Sequence, residues 1–210
     1  MILRPGEIEA SIESVPVDGF ARVEGALNPA SLLEEANFSE TIHKPGWAGE
    51  ESWGGSFAGH EDLPAGMQGA GQLFTDLGRL AQRAGYQDWQ TNRFMFKATT
   101  EGYPWHPDRP SFRHFVFLAY LLGRTQMFVQ TRNGRPYGMV LNAGDILILQ
   151  AATNADDDTT ATWHGAQPSG LRAFLGVVYE TTAPSVYDLP SHGQVGGDVE
   201  RVGVGGGLAA

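Results

Sequence analysis

The segment "GYPWHPDRP", residues 102–110, places an imidazole and a carboxylate two positions apart. Along an extended strand the side chains of residues i and i+2 lie on one face, so His106 and Asp108 can converge on a single ion. Pro107 between them has no backbone donor, and the Pro-rich setting restricts the segment to a sheet edge or a strand end. The pattern predicts an open metal site at that edge.

A third candidate ligand, His164, ends the β-like run "TTATWH". Because the chain has no Cys, a metal here must take His and carboxylate ligands. Two imidazoles and one carboxylate form the facial triad that suits non-haem Fe(II) and leaves the opposite side of the metal open. Arg172, at the start of the next strand-like run, has the planar donor fork that binds a carboxylate through two parallel hydrogen bonds.

The elements that must position these residues are short aromatic and β-branched runs, which alternate with Gly, Asn, Asp and Pro from Asn92 onward. The runs are "RFMFKATT", "SFRHFVFLAYL", "QMFVQT", "YGMVLN", "DILILQ", "TATWH" and "LRAFLGVVYE". Seven strands at this spacing are typical of an antiparallel sandwich or barrel. The sequence therefore predicts a mainly β (α+β) fold of jelly-roll type with flanking N-terminal helices.

The N-terminal third is more irregular. Residues 1–27 mix polar and apolar positions, and the turn residues in "SVPVDGF" predict one or two short strands there. Asn28-Pro29 is typical of an N-cap followed by Pro at the first helical position, which predicts a short helix. Residues 44–69 are rich in Gly and show neither a helical nor a strand period, which predicts a long irregular loop.

One amphipathic helix is predicted before the strands begin. Its apolar stripe consists of Leu73, Leu77, Leu80 and Ala84. These positions recur at the spacing of one helical face, and Gly85 is a typical stop. We expect this helix to cover one face of a sheet.

Length and charge limit the domain count and the partners. A chain of 210 residues that is 41% hydrophobic closes one core. We expect one domain over 1–190, with its β core at about 92–181 and a Gly-rich flexible tail at 191–210. A net charge of −10 disfavours nucleic acid and anionic membranes. No signal-like or bilayer-length apolar run is present, which predicts a soluble cytoplasmic protein.

Positive charge is concentrated in one stretch. From Arg109 to Ala143 the chain has five Arg and no acidic residue. Two interpretations remain open: the Arg side chains lie on exposed strand ends, or they form a positive mouth that attracts a small anion.

Other residues near the candidate ligands are interpreted as structural. His114 is expected on the strand face of Phe112 and Val116, as a core histidine with a hydrogen-bond partner. Trp105 and Trp163, each directly before a candidate His ligand, are expected to face away from the metal and to pack.

Four motifs in order, "WHPD", "GDILIL", "WHG" and "GLRAFLGVVYE", resemble the double-stranded β-helix core of the Fe(II)/2-oxoglutarate-dependent dioxygenases. The resemblance covers roughly residues 92–181, under half of the chain. It implies that His106, Asp108 and His164 bind Fe(II), and that Arg172 binds the distal carboxylate of 2-oxoglutarate.

The resemblance also implies a structural turn at Gly144-Asp145, before the strand that precedes His164. The chain departs from the family pattern after Arg172: many relatives carry a Ser two positions later, where this chain has Phe174, and the interval from His164 is slightly short. The candidates for a replacement hydroxyl are Thr99, Tyr103 and Tyr120.

The activity that the resemblance implies is that of a hydroxylase that uses 2-oxoglutarate and O2 and releases succinate and CO2. A small, anionic substrate is expected, because the acidic surface disfavours nucleic acid and the Arg-rich stretch favours an anion. One alternative is a cupin-like metalloenzyme without 2-oxoglutarate, with His106, His114 and His164 as ligands. The other is a non-catalytic ligand-binding sandwich whose His and Asp only form hydrogen bonds.

Overall fold

Two antiparallel sheets form the body of the described chain. The computed structural model describes residues 2–30, 32, 52–57, 68–108, 111–151 and 160–180. The strands are β1 (Phe20–Val23), β2 (Ser52–Phe57), β3 (Arg93–Thr99), β4 (Tyr103–His106), β5 (Phe112–Leu122), β6 (Arg124–Gln130), β7 (Pro136–Asn142), β8 (Ile146–Gln150), β9 (His164–Ala166) and β10 (Arg172–Glu180). The larger sheet has the order β1-β8-β5-β10-β3-β2, and the smaller has the order β4-β9-β6-β7.

From β3 onward the chain crosses repeatedly between the two sheets. Strands β3, β5, β8 and β10 belong to the larger sheet, while β4, β6, β7 and β9 belong to the smaller. This winding is the double-stranded β-helix, so the predicted fold class is confirmed. Six of the seven predicted runs contain a strand, while the run "TATWH" contributes only its last residue, because β9 begins at His164 rather than ending there.

Two helices flank the larger sheet, α1 (Pro5–Asp18) and α2 (Gln68–Arg83). The prediction for 73–84 is confirmed, and the chain leaves α2 at Gly85, whose φ is 101°. The prediction of one or two short strands in residues 1–27 is confirmed by the four residues of β1, but the helix α1 in the same stretch was not predicted. Pro5 begins α1, and Ile8, Ile12 and Val15 form its buried stripe.

The turn residues of "SVPVDGF" mark the end of α1 rather than a hairpin. Gly19 adopts a φ of 88°, and its N–H donates to the Val15 carbonyl, as in a helix C-cap. The chain then enters β1 directly. At the start of the next predicted helix, Asn28 Oδ1 accepts from the Ala30 N–H, as an N-cap does; most of that helix lies outside the described residues.

The prediction of an irregular loop over 44–69 is wrong for residues 52–57. These residues form β2, which pairs with β3 along its whole length, with Gly54 opposite Lys97. A strand that adds to an existing sheet takes its order from backbone hydrogen bonds, so the segment needs no side-chain period of its own. Residues 44–51 and 58–67 lie outside the described residues, as does the predicted tail, and residues 68 and 69 begin α2.

The larger sheet separates two apolar cores. One core lies under the helices and includes Leu73, Leu77, Trp89, Phe96, Phe115, Phe117, Leu175 and Val177. The other lies between the two sheets and includes Phe112, Val116, Leu118, Tyr120, Met127, Val129, Leu149 and Val178. Because side chains alternate along each strand, a single strand supplies both cores.

The Gly144-Asp145 turn is present and fixes the start of β8. Gly144 has a φ of 98°. The buried Asp145 carboxylate accepts from the backbone N–H groups of Gly25 and Asn142 and pairs with Arg22 at 2.8 Å. No helix in the described residues combines the length and apolar composition needed to cross a bilayer.

Candidate metal centre

The candidate ligands meet where β4 and β9 pair at the edge of the smaller sheet. His106 and His164 are direct cross-strand partners, and their ring centroids are 4.5 Å apart. Asp108 follows two residues after the end of β4. One potential ligand atom from each of the three residues lies within 4.8 Å of the others. The open strand end predicted from "WHPDRP" is therefore where the three side chains converge.

Hydrogen bonds set both imidazoles in the same tautomer. His106 Nδ1 lies 2.7 Å from the Pro104 carbonyl oxygen, and His164 Nδ1 lies 3.1 Å from the Thr162 carbonyl oxygen. A carbonyl oxygen only accepts, so each Nδ1 must carry the proton and donate it. The Nε2 lone pair of each ring is then available to a metal ion.

The carboxylate is also available to a cation. Asp108 Oδ1 lies 3.9 Å from His164 Nε2, while Asp108 Oδ2 is buried without a hydrogen-bond partner. A buried acceptor with no donor costs about 1–3 kcal/mol. A divalent cation would satisfy this oxygen together with the two Nε2 atoms, so the donor set fits a metal of the non-haem iron type.

Gly165 allows the two strands to approach closely. A Cβ at this position would lie 3.1 Å from the Tyr103 carbonyl oxygen and 3.3 Å from that of Pro104, tighter than nearly all real Cβ contacts. The "WHG" motif therefore combines a candidate ligand with the small residue that allows β9 to pack closely against β4.

Arg172 lies fully buried at the start of β10. Its Nη1 donates to Ser169 Oγ at 2.7 Å and more weakly to the Gln167 carbonyl, and its Nη2 donates to the Glu101 carbonyl. Its Nε has no partner. Burial lowers the pKa of Arg172. Sequence reasoning missed Ser169, which is recognisable as a partner only once the turn before β10 is folded.

The three hydroxyl candidates differ in their surroundings. The Thr99 hydroxyl accepts from the Glu101 N–H at 3.0 Å, although Thr99 lies opposite Arg172 in the β3–β10 pairing. Tyr120 is buried on β5 and stacks on Phe174. Tyr103 Oη is buried without a partner. Burial raises the pKa of both tyrosines, which keeps their hydroxyls protonated and able to donate.

Sequence reasoning also missed Lys97, the fifth of the seven residues of β3. Its Nζ lies 4.2 Å from the centroid of the Tyr103 ring, and Arg172 Cζ lies 5.5 Å from the same centroid. Burial lowers the pKa of Lys97; the Glu101 carboxylate raises it and Arg172 lowers it further. The available signal was a Lys within the apolar run "RFMFKATT", at the alternating positions of Met95 and Thr99.

The predicted location of His114 is wrong. Its φ of 62° reverses the alternation, so the ring lies with Tyr86 and Trp89 rather than on the face of Phe112 and Val116. Its Nε2 lies 3.1 Å from Asp88 Oδ2, and this hydrogen bond lowers the pKa of Asp88. His114 is not part of the group formed by His106, Asp108 and His164.

The expectation that the two Trp side chains pack is also wrong, because Trp105 is 43% exposed and Trp163 is 36% exposed. Trp105 lines a groove of about 560 Å³ together with Phe128, Gln130 and Gln167. Tyr103 lines this groove too, but none of the three candidate ligands does, and Phe128 and Gln130 alternate along β6 with Met127 and Val129, which face the core between the sheets. Arg113 lies partly buried on β5, and Arg109 lies outside the described residues.

No protein-family model matches the chain, and no curated protein matches it. Several solved structures, in contrast, match the chain. A prolyl-4-hydroxylase from Pseudomonas putida is 14% identical with a TM-score of 0.64, covering 83% of this chain and 99% of the other. A 2OG-Fe(II) oxygenase-family oxidoreductase from Burkholderia pseudomallei is 12% identical with a TM-score of 0.58, covering 84% and 89%. The α-ketoglutarate-dependent epimerase SnoN from nogalamycin biosynthesis is 15% identical with a TM-score of 0.60, covering 84% of each chain.

Identities this low establish a shared architecture rather than a shared activity. The chain has the double-stranded β-helix fold of the 2-oxoglutarate/Fe(II) oxygenases, and a His-Asp-His group able to hold a metal lies at the edge of its smaller sheet.

Proposed function

We propose that the protein is an Fe(II)- and 2-oxoglutarate-dependent oxygenase that hydroxylates a small, anionic molecule. The observation that carries the proposal is the donor set of His106, Asp108 and His164: two imidazoles that present Nε2 and a buried carboxylate oxygen without a partner. Three ligands on one side of a metal leave positions for a chelating cosubstrate and for O2.

Bound Fe(II), 2-oxoglutarate and O2 would supply the oxidation, in which the keto acid loses CO2 to become succinate and one oxygen atom enters a C–H bond. The residues of the chain would bind and orient the metal and the cosubstrate. Arg172 offers a buried cation to the distal carboxylate, and the protonated Tyr103 offers an unpartnered donor beside it. The apolar side chains between the sheets exclude water from the reacting groups.

The anionic substrate is supported by the five Arg between Arg109 and Ala143. A small molecule is favoured over nucleic acid because the chain has a net charge of −10. A panel of amino acids and other small carboxylates would be tested for substrate-dependent succinate formation. Arg113→Gln should raise the KM of the active anions, and unchanged kinetics with all of them would contradict the anionic assignment.

Anaerobic addition of Fe(II) and then 2-oxoglutarate tests the central proposal. The wild type should develop the visible charge-transfer band of an iron-bound keto acid. Asp108→Ala should lose the band because one metal ligand is gone, and Arg172→Ala should require much more 2-oxoglutarate to reach it. A folded wild type that binds neither Fe(II) nor 2-oxoglutarate would contradict the proposal and favour a non-catalytic ligand-binding sandwich. A wild type that binds Fe(II) but forms no band would favour a metalloenzyme that does not use 2-oxoglutarate.

A further inference from the structure

The cation of Lys97 forms no direct ion pair among the described residues, although the Glu101 carboxylate lies near enough to raise its pKa. Its strand neighbours Phe96 and Ala98 face the helix-covered core, so Lys97 points between the two sheets with Met95 and Thr99. No carboxylate of the described residues lies within 4 Å of Nζ, whereas the more exposed Arg4 has such a partner. A partly buried charge left without a partner costs stability unless a ligand supplies one.

Lys97 and Arg172 also repel each other. Both cations lie near the ring of Tyr103, with Nζ at 4.2 Å and Cζ at 5.5 Å from its centroid, and the positive charge of Arg172 lowers the pKa of Lys97. Two like charges held near one ring are stabilised by an anion that can reach both. The unpartnered hydroxyl of Tyr103 adds a neutral donor at the same place.

Part of the donor capacity of Arg172 is already used. Nη1 donates to Ser169 and to the Gln167 carbonyl and Nη2 donates to the Glu101 carbonyl, while Nε has no partner among the described residues. A carboxylate beside this guanidinium would therefore be bound more tightly if a second cation also contacted it. Lys97 lies directly opposite Phe174 in the β3–β10 pairing, and Phe174 is the residue where a hydroxyl is absent from the motif.

The ring of Tyr103 relates the two cations to the metal ligands. It lies 6.4 Å from the ring of His106, and both Lys97 Nζ and Arg172 Cζ lie near the same ring. We propose that Lys97 and Arg172 together hold the distal carboxylate of 2-oxoglutarate, so that Lys97 selects a keto dicarboxylate over a keto monocarboxylate. The inference rests on the proposed function and adds a residue to its cosubstrate site.

The experiment compares two keto acids in titrations of anaerobic Fe(II)-loaded protein, followed by the charge-transfer band. Lys97→Met should raise the midpoint for 2-oxoglutarate roughly 30-fold, the size of effect expected when one partner of a desolvated charge pair is removed. The midpoint for pyruvate, which has no distal carboxylate, should not change. Lys97→Arg should restore most of the 2-oxoglutarate affinity. The control Arg79→Met removes the same charge from the exposed side of α2 and should behave as wild type.

A second measurement uses the unaltered protein. Reductive methylation of the anaerobic Fe(II)-loaded wild type, read by peptide mass spectrometry, should be slower at Lys97 with 2-oxoglutarate than with pyruvate. Equal 2-oxoglutarate midpoints in wild type and Lys97→Met, or equal methylation with both acids, would overturn the role of Lys97 and leave the proposed function intact. A wild type that gives no band with 2-oxoglutarate would overturn both.

Discussion

The two faces of the larger sheet are built from alternate residues of the same strands. They differ in whether the buried polar atoms on each side have hydrogen-bond partners. The face under α1 and α2 is apolar, with Phe96, Phe117 and Leu175 at its centre. The face toward the smaller sheet carries Lys97, Tyr120 and Arg172 among its apolar residues.

Buried polar atoms without partners concentrate on the second side. In the described residues these atoms are Tyr103 Oη, Asp108 Oδ2, Thr125 Oγ1 and Arg172 Nε. Asp108 belongs to the candidate metal centre, Arg172 is one of the two cations beside it, and Tyr103 carries the ring near which both cations lie. Among the described residues, no buried side-chain polar atom of the helix-covered face lacks a hydrogen-bond partner, whereas several on the other side do. This difference indicates the position of the candidate site more sharply than any one motif does.

The largest expected effect compares two histidines on opposite sides of the sheet. His164→Ala should lower the affinity for Fe(II) by about 100-fold or more, because it removes one of three ligands. His114→Ala should leave the affinity unchanged, since His114 bonds to Asp88 on the helix side. Calorimetric titration of the metal-free proteins measures both. Loss of metal binding in His114→Ala would instead favour the cupin-like ligand set.

Truncating a side chain in the helix-covered core should instead lower the stability of the protein and leave its affinity for Fe(II) unchanged. Phe117→Ala removes a fully buried ring that packs on Phe115 and Trp89, and should lower the free energy of unfolding by about 3–5 kcal/mol. The folded fraction should bind Fe(II) normally. Urea denaturation and metal titration test the two statements separately, with Phe117→Leu as the milder control. A large loss of metal affinity in folded Phe117→Ala would show that the two faces are coupled.

The smallest expected effect concerns the approach of β9 to β4. Gly165→Ala should weaken Fe(II) binding by roughly tenfold, within the range seen when groups that support a ligand are altered, because the added methyl pushes the two strands apart by a few tenths of an ångström. Gly170→Ala is the matched control, since its Cβ would meet nothing within 4 Å. Equal metal affinities in the two variants would mean that β9 can shift without displacing His164.

The sequence by itself determined the features that depend on local periodicity. The apolar stripe of α2, the strand-like runs from Asn92 onward and the strand-end character of "WHPDRP" are properties of adjacent residues, and each appears in the structure. The spacing of the runs predicted an antiparallel sandwich or barrel, and the resemblance of four short motifs to a known family implied the double-stranded β-helix.

Only the tertiary structure decided which side chains share a space. The strand β2 exists because β3 offers it a partner, and His114 changes face because of one positive φ. Lys97 is brought near Arg172 by strands that are far apart in the chain. Pairing register and the packing of one sheet on the other are non-local, so no window of the sequence contains them. The position of Lys97 beside Arg172 and Tyr103 was therefore visible only after folding.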